Sequence, residues 1–505
     1  MQFDPKQQYD VIIIGSGAGG GTLAYALSQY NLSILVIEKG GFLPKEPDNR
    51  SLEGISGAKY RTPIKMEVDG RLHDTYTHAY VGGQTKLYGA ALYRLRRDDF
   101  KETYHSSGVS PAWPISYDDL EPYYTQAEHL YKVHGSTNED PTEPAHSQPY
   151  QYPPIEHENY LLPFIKKLKS QGLNVSYIPK AIDYADNGKC EFCGTCDGYA
   201  CELGGKLDTE EACLQPAFRT GRVHLLSNAE CKRLNTSNDG KTITSVDIEH
   251  NGNTLSLSAP VIVLAGGVLE SPALLLRSAN KQHPAGLANS SGLVGRYLSG
   301  HNTGIFILPT FRKIPEIHQK TFAINDYYNG SRHFPYPMGL LQAGGRLPVW
   351  LEVEERFRSI VKFIAERSII TFIMSEVLPE YNNRTELTPD GHISVKYQYN
   401  NVKAFRKLRM AFMRAFWRAG YVGSYCSRHP IGGIPWHPVG TLRFGNDPGK
   451  SVLNTWCQTH DIDNLYVVDS AFLPTAGSVN TSLTVMAQAL RVAPHLAARL
   501  NAEKV

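Results

Sequence analysis

The chain contains no run of about 18 consecutive apolar residues, so no segment of it reads as a membrane-spanning helix. It also lacks an excess of either charge: Lys plus Arg number 51 against 49 Asp plus Glu, and no long single-sign block occurs. That removes the basic footprint a nucleic-acid-binding protein needs and leaves a small molecule as the expected partner. No internal repeat is present, which excludes solenoids and propellers. The opening residues, MQFDPKQQ, are polar and run straight into a strand, with no charged-then-apolar leader and no small-residue cleavage site. The expected location is therefore the cytoplasm, where the eight cysteines would stay reduced or bind metal. The 505 residues are enough for two or three packed units.

What the chain does have is glycine in a telling place, within YDVIIIGSGAGGGTLAYALSQYNLSILVIEKGG, Tyr9 to Gly41. Val11 to Ile14 predict a short buried strand, and Gly15, Gly17 and Gly20 then turn the chain into a helix starting near Gly19. The first glycine permits a tight turn, the second a close approach to a pyrophosphate, and the third close packing of helix on strand. The helix N-terminus offers unpaired N–H groups and a partial positive charge to an anion, with Ala18 among the residues expected to bind the cofactor. A second apolar strand, Ile34 to Ile37, ends at Glu38, 18 residues past Gly20, where a carboxylate can accept hydrogen bonds from a ribose. Each flanking piece of a dinucleotide-binding unit is present in order, which a bare glycine pattern would not supply.

Further along, Phe42 to Tyr76 is rich in Pro, Gly and charge and reads as a long loop over the nucleotide. Ser116 is placed to cap a helix that carries Asp118 and Asp119 in its first turn. ITSVDIEHNGNTLSLSA predicts a hairpin turning at Asn251-Gly252, and Val261 to Gly267 a buried strand followed by a helix. Residues 303–430 change character, with many aromatics and alternating segments such as HISVKYQY. The last 70 residues return to strand, glycine turn and helix. The expected fold is α/β, a discontinuous Rossmann-like dinucleotide domain with an inserted α+β domain built on an antiparallel sheet. Its expected parts are 1–100, 205–302 and 431–505 for the dinucleotide domain, 101–204 for a loop-rich segment with a cysteine cluster, and 303–430 for a substrate-binding domain.

Six ordered blocks resemble the glucose-methanol-choline (GMC) oxidoreductase family, over almost the whole chain. Besides the N-terminal unit they are VGGQT (81–85), GGVLESPALLLRSA (266–279), NRTELTPDGHISVKY (383–397), WHPVGTLRFG (436–445) and VVDSAFLPTAGSVNTSLTVMAQAL (467–490). The resemblance implies FAD as the dinucleotide and oxidation of a hydroxyl to a carbonyl as the reaction. By matching position, His437 resembles the family's active-site histidine and Asn480 its partner. Asp469, with Ala471 in the same block, would hold the flavin side chain. Thr481 would lie near the pyrimidine edge, and Gly82, Gly83, Thr85 and Gly266 would line the cofactor. The chain departs from the family pattern at Gln84, Thr85 and Tyr88 and at Ser278-Ala279. Where some members attach flavin to a histidine this chain aligns Leu87, so the resemblance implies noncovalent FAD.

Oxidising an alcohol requires that the O–H proton leave together with the hydrogen on carbon. A neutral imidazole suits the first task because its ordinary pKa, about 6.5, lies near working pH. His437 is therefore the expected base and Asn480 the expected donor that orients the hydroxyl. His301, in SGHNTG, reads as a structural histidine.

KCEFCGTCDGYACELGGK places Cys190, Cys193, Cys196 and Cys201 in a C-x2-C-x2-C-x4-C spacing, close to a ferredoxin run but with the fourth thiol one residue late. An iron-sulfur cluster there would give electrons an exit and favour a dehydrogenase over an oxidase. A reduced, disulfide-bonded or zinc-bound loop is the competing reading. Two segments, VKAFRKLRMAFMRAFWRAG and WLEVEERFRSIVKFIAERSII, are basic and amphipathic. Such helices usually pack on a sheet, though a membrane surface, and with it a peripheral location, stays open. Three functions follow: oxidation of a sugar, polyol or glycoside hydroxyl, oxidation of a lipophilic long-chain or isoprenoid alcohol, and a nonredox, lyase-like flavoprotein. The electron acceptor stays open among oxygen, a quinone and a protein.

Overall fold

The structure, a computed structural model, describes residues 3–51, 59–60, 65–68, 70–74, 78–185, 187–194, 196–315, 320–345 and 353–502. Five short strands form a parallel sheet in the order Val223–Leu226, Ile34–Ile37, Val11–Ile14, Val261–Leu264, Leu465–Val467. Runs such as ILVI and VIVL are buried at every position, as strands covered on both faces require. The Ala18–Leu27 helix follows the first strand, packs against the C-terminal Ser482–Ala502 helix, and begins at the sheet's carboxyl edge. The strand order reverses between Val11–Ile14 and Val261–Leu264, which opens a crevice at that edge.

The second large sheet is antiparallel, ordered Tyr425–Cys426, Ser299–Pro309, Ser368–Val377, Leu340–Ala343, Phe322–Ile324, Val175–Tyr177, with Trp436–Val439 pairing the start of Ser299–Pro309. The Val402–Arg418 helix lies against it and buries Phe405, Leu408, Phe412 and Phe416 completely. The expected α/β fold, a discontinuous Rossmann-like unit plus an α+β unit on an antiparallel sheet, is the one observed.

Local expectations also met their physical causes. The Ser116 hydroxyl accepts from the Asp119 amide at 3.3 Å, and the Asp119 carboxylate accepts from the Ser116 amide at 2.8 Å. The Asn251-Gly252 turn uses two left-handed residues, φ 50° and 75°, to join Ile243–His250 to Asn253–Leu257. The Phe42–Tyr76 stretch needs correction, because its described part contains a hairpin, Lys65–Val68 with Arg71–Asp74. That hairpin adds in parallel to Ile393–Lys396, through Ser394 beside Glu67 and Val395 beside Val68. Short polar strands that gain their partner from the far end of the chain carry little hydrophobic pattern. Residues 52–58, 61–64, 69 and 75–76 of that stretch, and 350–352 of the second amphipathic segment, lie outside the described residues.

Candidate active site

The glycine loop closes against three other segments at the carboxyl edge of the parallel sheet. Gly15 has φ 106°, and a Cβ there would lie 2.3 Å from the Ala265 carbonyl oxygen. A Cβ on Gly20 would meet the Gly15 carbonyl at 2.0 Å, the close helix-to-strand approach expected of the third glycine. Gly19, not singled out from sequence, is as constrained, with a Cβ position 2.0 Å from the Val468 carbonyl. A Cβ at Gly17 would find only the Gly83 Cα, at 3.8 Å. Helix Ala18–Leu27 has no side-chain cap and no acidic residue in its first turn. Its N-terminal N–H groups are thus unopposed by a carboxylate, and the donor set fits an anionic pyrophosphate.

Glu38 is buried at the end of its strand. Its Oε2 accepts from the Ser16 amide at 3.0 Å and hydroxyl at 2.6 Å, and its Oε1 from the Gly40 amide at 3.1 Å. Burial raises its pKa against the Ser16 hydrogen bonds. Ser16, overlooked from sequence, also accepts from the Gly82 amide at 3.0 Å and so ties the first loop to the VGGQT turn. Gly82 and Gly83 are left-handed, φ 96° and 58°, and a Cβ on Gly83 would press on the Gly17 Cα at 2.8 Å. Thr85 donates to the Gly82 carbonyl at 2.6 Å and accepts from the Thr209 amide at 3.0 Å. Beneath it the buried Lys86 ammonium pairs with Asp208 at 2.9 Å and Glu210 at 2.7 Å, a neutralised group that the sequence pattern did not expose.

On the other wall, the Gly266 amide donates to the Ser271 hydroxyl at 3.1 Å, which donates to Asp469 Oδ2 at 2.5 Å. Asp469 also accepts from the Gly267 and Ala471 amides, both at 2.9 Å. Burial raises the pKa of this carboxyl, and its donors oppose that rise. Thr481, buried, lies beside Asn480 at the start of the C-terminal helix, and its carbonyl accepts from the Thr484 amide at 3.1 Å.

His437 and Asn480, 43 residues apart, meet as expected: the Asn480 amide donates to His437 Nε2 at 3.1 Å. The Gln342 amide donates to Asn480 Oδ1 at 2.7 Å from the antiparallel sheet. His437 has φ 48°, a left-handed conformation that costs a non-glycine residue of order 1–3 kcal/mol and persists only where packing fixes it. His301 is not a bystander. Its Nδ1 lies 3.0 Å from His437 Nδ1 and its Nε2 3.1 Å from the Gly477 carbonyl. The approach depends on Gly300, where a Cβ would meet the Trp436 carbonyl at 2.6 Å. Burial first, then repulsion from Lys320 and from His301 in its protonated form, holds the His437 pKa well below its ordinary range, and burial pulls His301 down to about 4. Both rings are neutral at neutral pH.

The cysteine run gives no such assembly. None of the eight cysteines is joined in a disulfide, and among the described residues no group of three or more His, Cys, Asp or Glu is arranged to hold a metal ion. Cys190, Cys193, Cys196 and Cys201 lie on a loop wrapped around the buried Lys206 ammonium, which donates to the Tyr88 carbonyl at 2.9 Å, the Cys196 carbonyl at 3.4 Å and the Tyr199 carbonyl. Burial pushes the Cys190 thiol up to about 11. The described residues thus present no ligand set that supports an iron-sulfur cluster.

Two family models described as GMC oxidoreductase match residues 9–303 and 388–489. The chain belongs to the GMC oxidoreductase family. It is similar to paromamine 6'-oxidase of Streptomyces fradiae, 29% identical over 98% of this chain and 93% of that protein. It is also similar to 2-methyl-1,2-propanediol dehydrogenase of Mycolicibacterium austroafricanum, 27% identical over 98% and 96%. Among solved structures, pyridoxine 4-oxidase from Mesorbium loti superposes with a TM-score of 0.68 at 18% identity, over 97% of this chain and 99% of that one. That likeness concerns the fold. As a GMC oxidoreductase the protein is an enzyme, and its relatives include both oxidases and dehydrogenases of alcohol-type substrates.

Proposed function

We propose that this GMC oxidoreductase binds FAD noncovalently and oxidises a CH–OH group of a sugar, polyol or glycoside to a carbonyl, with His437 as base. The observation that carries the reading is the His437–Asn480 pair, 3.1 Å apart, between the dinucleotide crevice and the antiparallel sheet. In this reading residues 1–100, 205–302 and 431–505 serve the cofactor, 303–430 the substrate, and 101–204 connects them. Gly15, Gly17, Ala18 and Gly20 would face the pyrophosphate, Glu38 the ribose, Asp469 and Ala471 the flavin side chain, and Gly82, Gly83, Thr85, Gly266 and Thr481 the ring system. Bound FAD would supply the two-electron acceptor for the hydride leaving the substrate carbon.

The rest of the chemistry belongs to the protein. His437 Nε2 takes the hydroxyl proton as the O–H bond breaks, so the remaining electron pair on oxygen forms the C=O bond while the C–H pair leaves as hydride. For that step the hydroxyl takes the place of the Asn480 amide at Nε2, and the displaced amide donates to the hydroxyl oxygen and orients it, while the Gln342 amide holds the Asn480 oxygen. Burial keeps the imidazole neutral and ready to accept a proton. The preference for a dehydrogenase depends on an iron-sulfur exit for electrons, for which the described residues show no ligand set, so oxygen, quinone and protein acceptors stand equal. The names of the sugar- and diol-oxidising relatives support the substrate class. Anaerobic titration with a panel of polyols, glycosides and long-chain alcohols, following the visible absorbance of oxidised flavin, tests the reading. Bleaching by polyols or glycosides is expected, and no bleaching by any alcohol would favour the nonredox, lyase-like alternative.

One observation favours the lipophilic-alcohol reading. The Glu355–Ala365 helix buries none of its residues and leaves Phe357, Ile360, Phe363 and Ile364 exposed at 46%, 61%, 58% and 44%. A basic amphipathic helix in that state suits a membrane surface. Flotation with anionic vesicles, together with preferential bleaching by long-chain alcohols, would replace the first reading by this one.

A further inference from the structure

We propose that His301 is a positioning residue that fixes the tautomer of His437, placing the basic lone pair on Nε2 beside Asn480. The inference rests on His437 being the base, and it follows from which atoms can donate. The Gly477 carbonyl can only accept, so the His301 Nε2 at 3.1 Å carries the hydrogen. His301 is neutral, which leaves its Nδ1 as a bare acceptor. His437 Nδ1, 3.0 Å away, must then be the protonated nitrogen of its ring. His437 Nε2 is left as the acceptor, facing the Asn480 amide, whose oxygen the Gln342 amide holds. Five groups, from Gln342 to the Gly477 carbonyl, thus form one directed series of hydrogen bonds, and reversing any one leaves two donors or two acceptors opposed.

The surroundings make the series rigid. His301 and Gln342 are 1% and 0% exposed, so water does not substitute for a lost partner. Gly477 is left-handed, φ 56°, and its Cβ position is closed by the Tyr328 hydroxyl at 2.8 Å and Asp99 Oδ2 at 2.9 Å, which fixes the carbonyl that anchors His301. Without His301 the His437 ring could hold its proton on either nitrogen, and only one form can act.

The test compares three variants in the FAD-loaded enzyme, reading anaerobic flavin reduction at saturating alcohol, the substrate dissociation constant, FAD content and the imidazole 15N spectrum. His301→Leu removes the acceptor. His301→Asn keeps an oxygen near the Nδ1 position. His437→Ala removes the base. The proposal expects His301→Leu to slow reduction by about tenfold or more with FAD content and substrate affinity retained. It expects His301→Asn to recover most of the rate, and the His437 nitrogen signals to shift toward a tautomer mixture only in the Leu variant. It is overturned if His301→Leu reduces flavin at the parental rate, or if Asn is as slow as Leu while the His437 signals stay as in the parent. Parental reduction in His437→Ala would instead overturn the base assignment itself. Should His301→Leu fail to fold, the Asn variant and the parent 15N spectrum still decide: a parent His437 protonated on Nε2 contradicts the proposal.

Discussion

The dinucleotide loop draws its decisive residues from one short stretch, Gly15 to Glu38, whereas the His437 cluster gathers residues 301, 342, 437 and 480 from four separate segments. The first works through backbone: Gly15, Gly19 and Gly20, whose Cβ positions are already filled by carbonyl oxygens, and a helix end left uncapped. The second works through side chains, each needed for the direction of its hydrogen bond. Failure should therefore look different in the two places, with lost cofactor in one and lost rate with cofactor retained in the other.

The largest effect should come from Gly15→Val. With φ 106° and 2.3 Å to the Ala265 carbonyl, the loop cannot keep its path, and the purified protein is expected to carry no flavin by absorbance. A yellow Gly15→Val enzyme with parental activity would erase the contrast. Gln342→Leu should show the opposite pattern, full flavin content with reduction slowed by about tenfold, because the Asn480 amide loses the partner that orients it. Loss of flavin from this variant would mean that the two regions are not separable.

The pH profile sharpens the side-chain half. His437 sits well below its ordinary pKa because burial disfavours the imidazolium. Protonation blocks it as a base, so reduction is lost only as pH falls through that lowered value. The acid limb of anaerobic reduction should lie below about 6.5, the ordinary histidine value, and a limb above it would contradict a base held neutral by its surroundings. The smallest effect belongs to the surface: Ile360→Ser should change unfolding free energy by no more than about 0.5 kcal/mol in denaturant titration, because Ile360 is 61% exposed. A loss near the ~3 kcal/mol typical of a core Phe→Ala change would mean that this helix is covered as Val402–Arg418 is.

These contrasts also explain what could be read before the fold was known. Local patterns were legible where local chemistry decides them: the Val11–Ile14 strand and its glycines, the Ser116 cap, the Asn251-Gly252 turn, and the resemblance blocks that marked His437 and Asn480. What was not legible depends on tertiary neighbours. His301 read as structural because nothing in SGHNTG reveals that its strand pairs with Trp436–Val439. Gln342 lies in an apolar strand with no motif of its own. The four-cysteine spacing suggested a cluster, for which the described residues show no ligand set, and the loop's contacts with Lys206 were not legible from it. The Glu355–Ala365 and Val402–Arg418 segments carry similar amphipathic patterns, yet only the second buries its stripe, since periodicity gives the face and not what meets it.

The most direct measurement is anaerobic stopped-flow reduction of the FAD-loaded enzyme by a bleaching alcohol, comparing the parent with His437→Ala. Removal of the base should leave flavin bound and slow reduction by about 100-fold or more. Reduction at the parental rate in His437→Ala would contradict the assignment on which the chemistry rests.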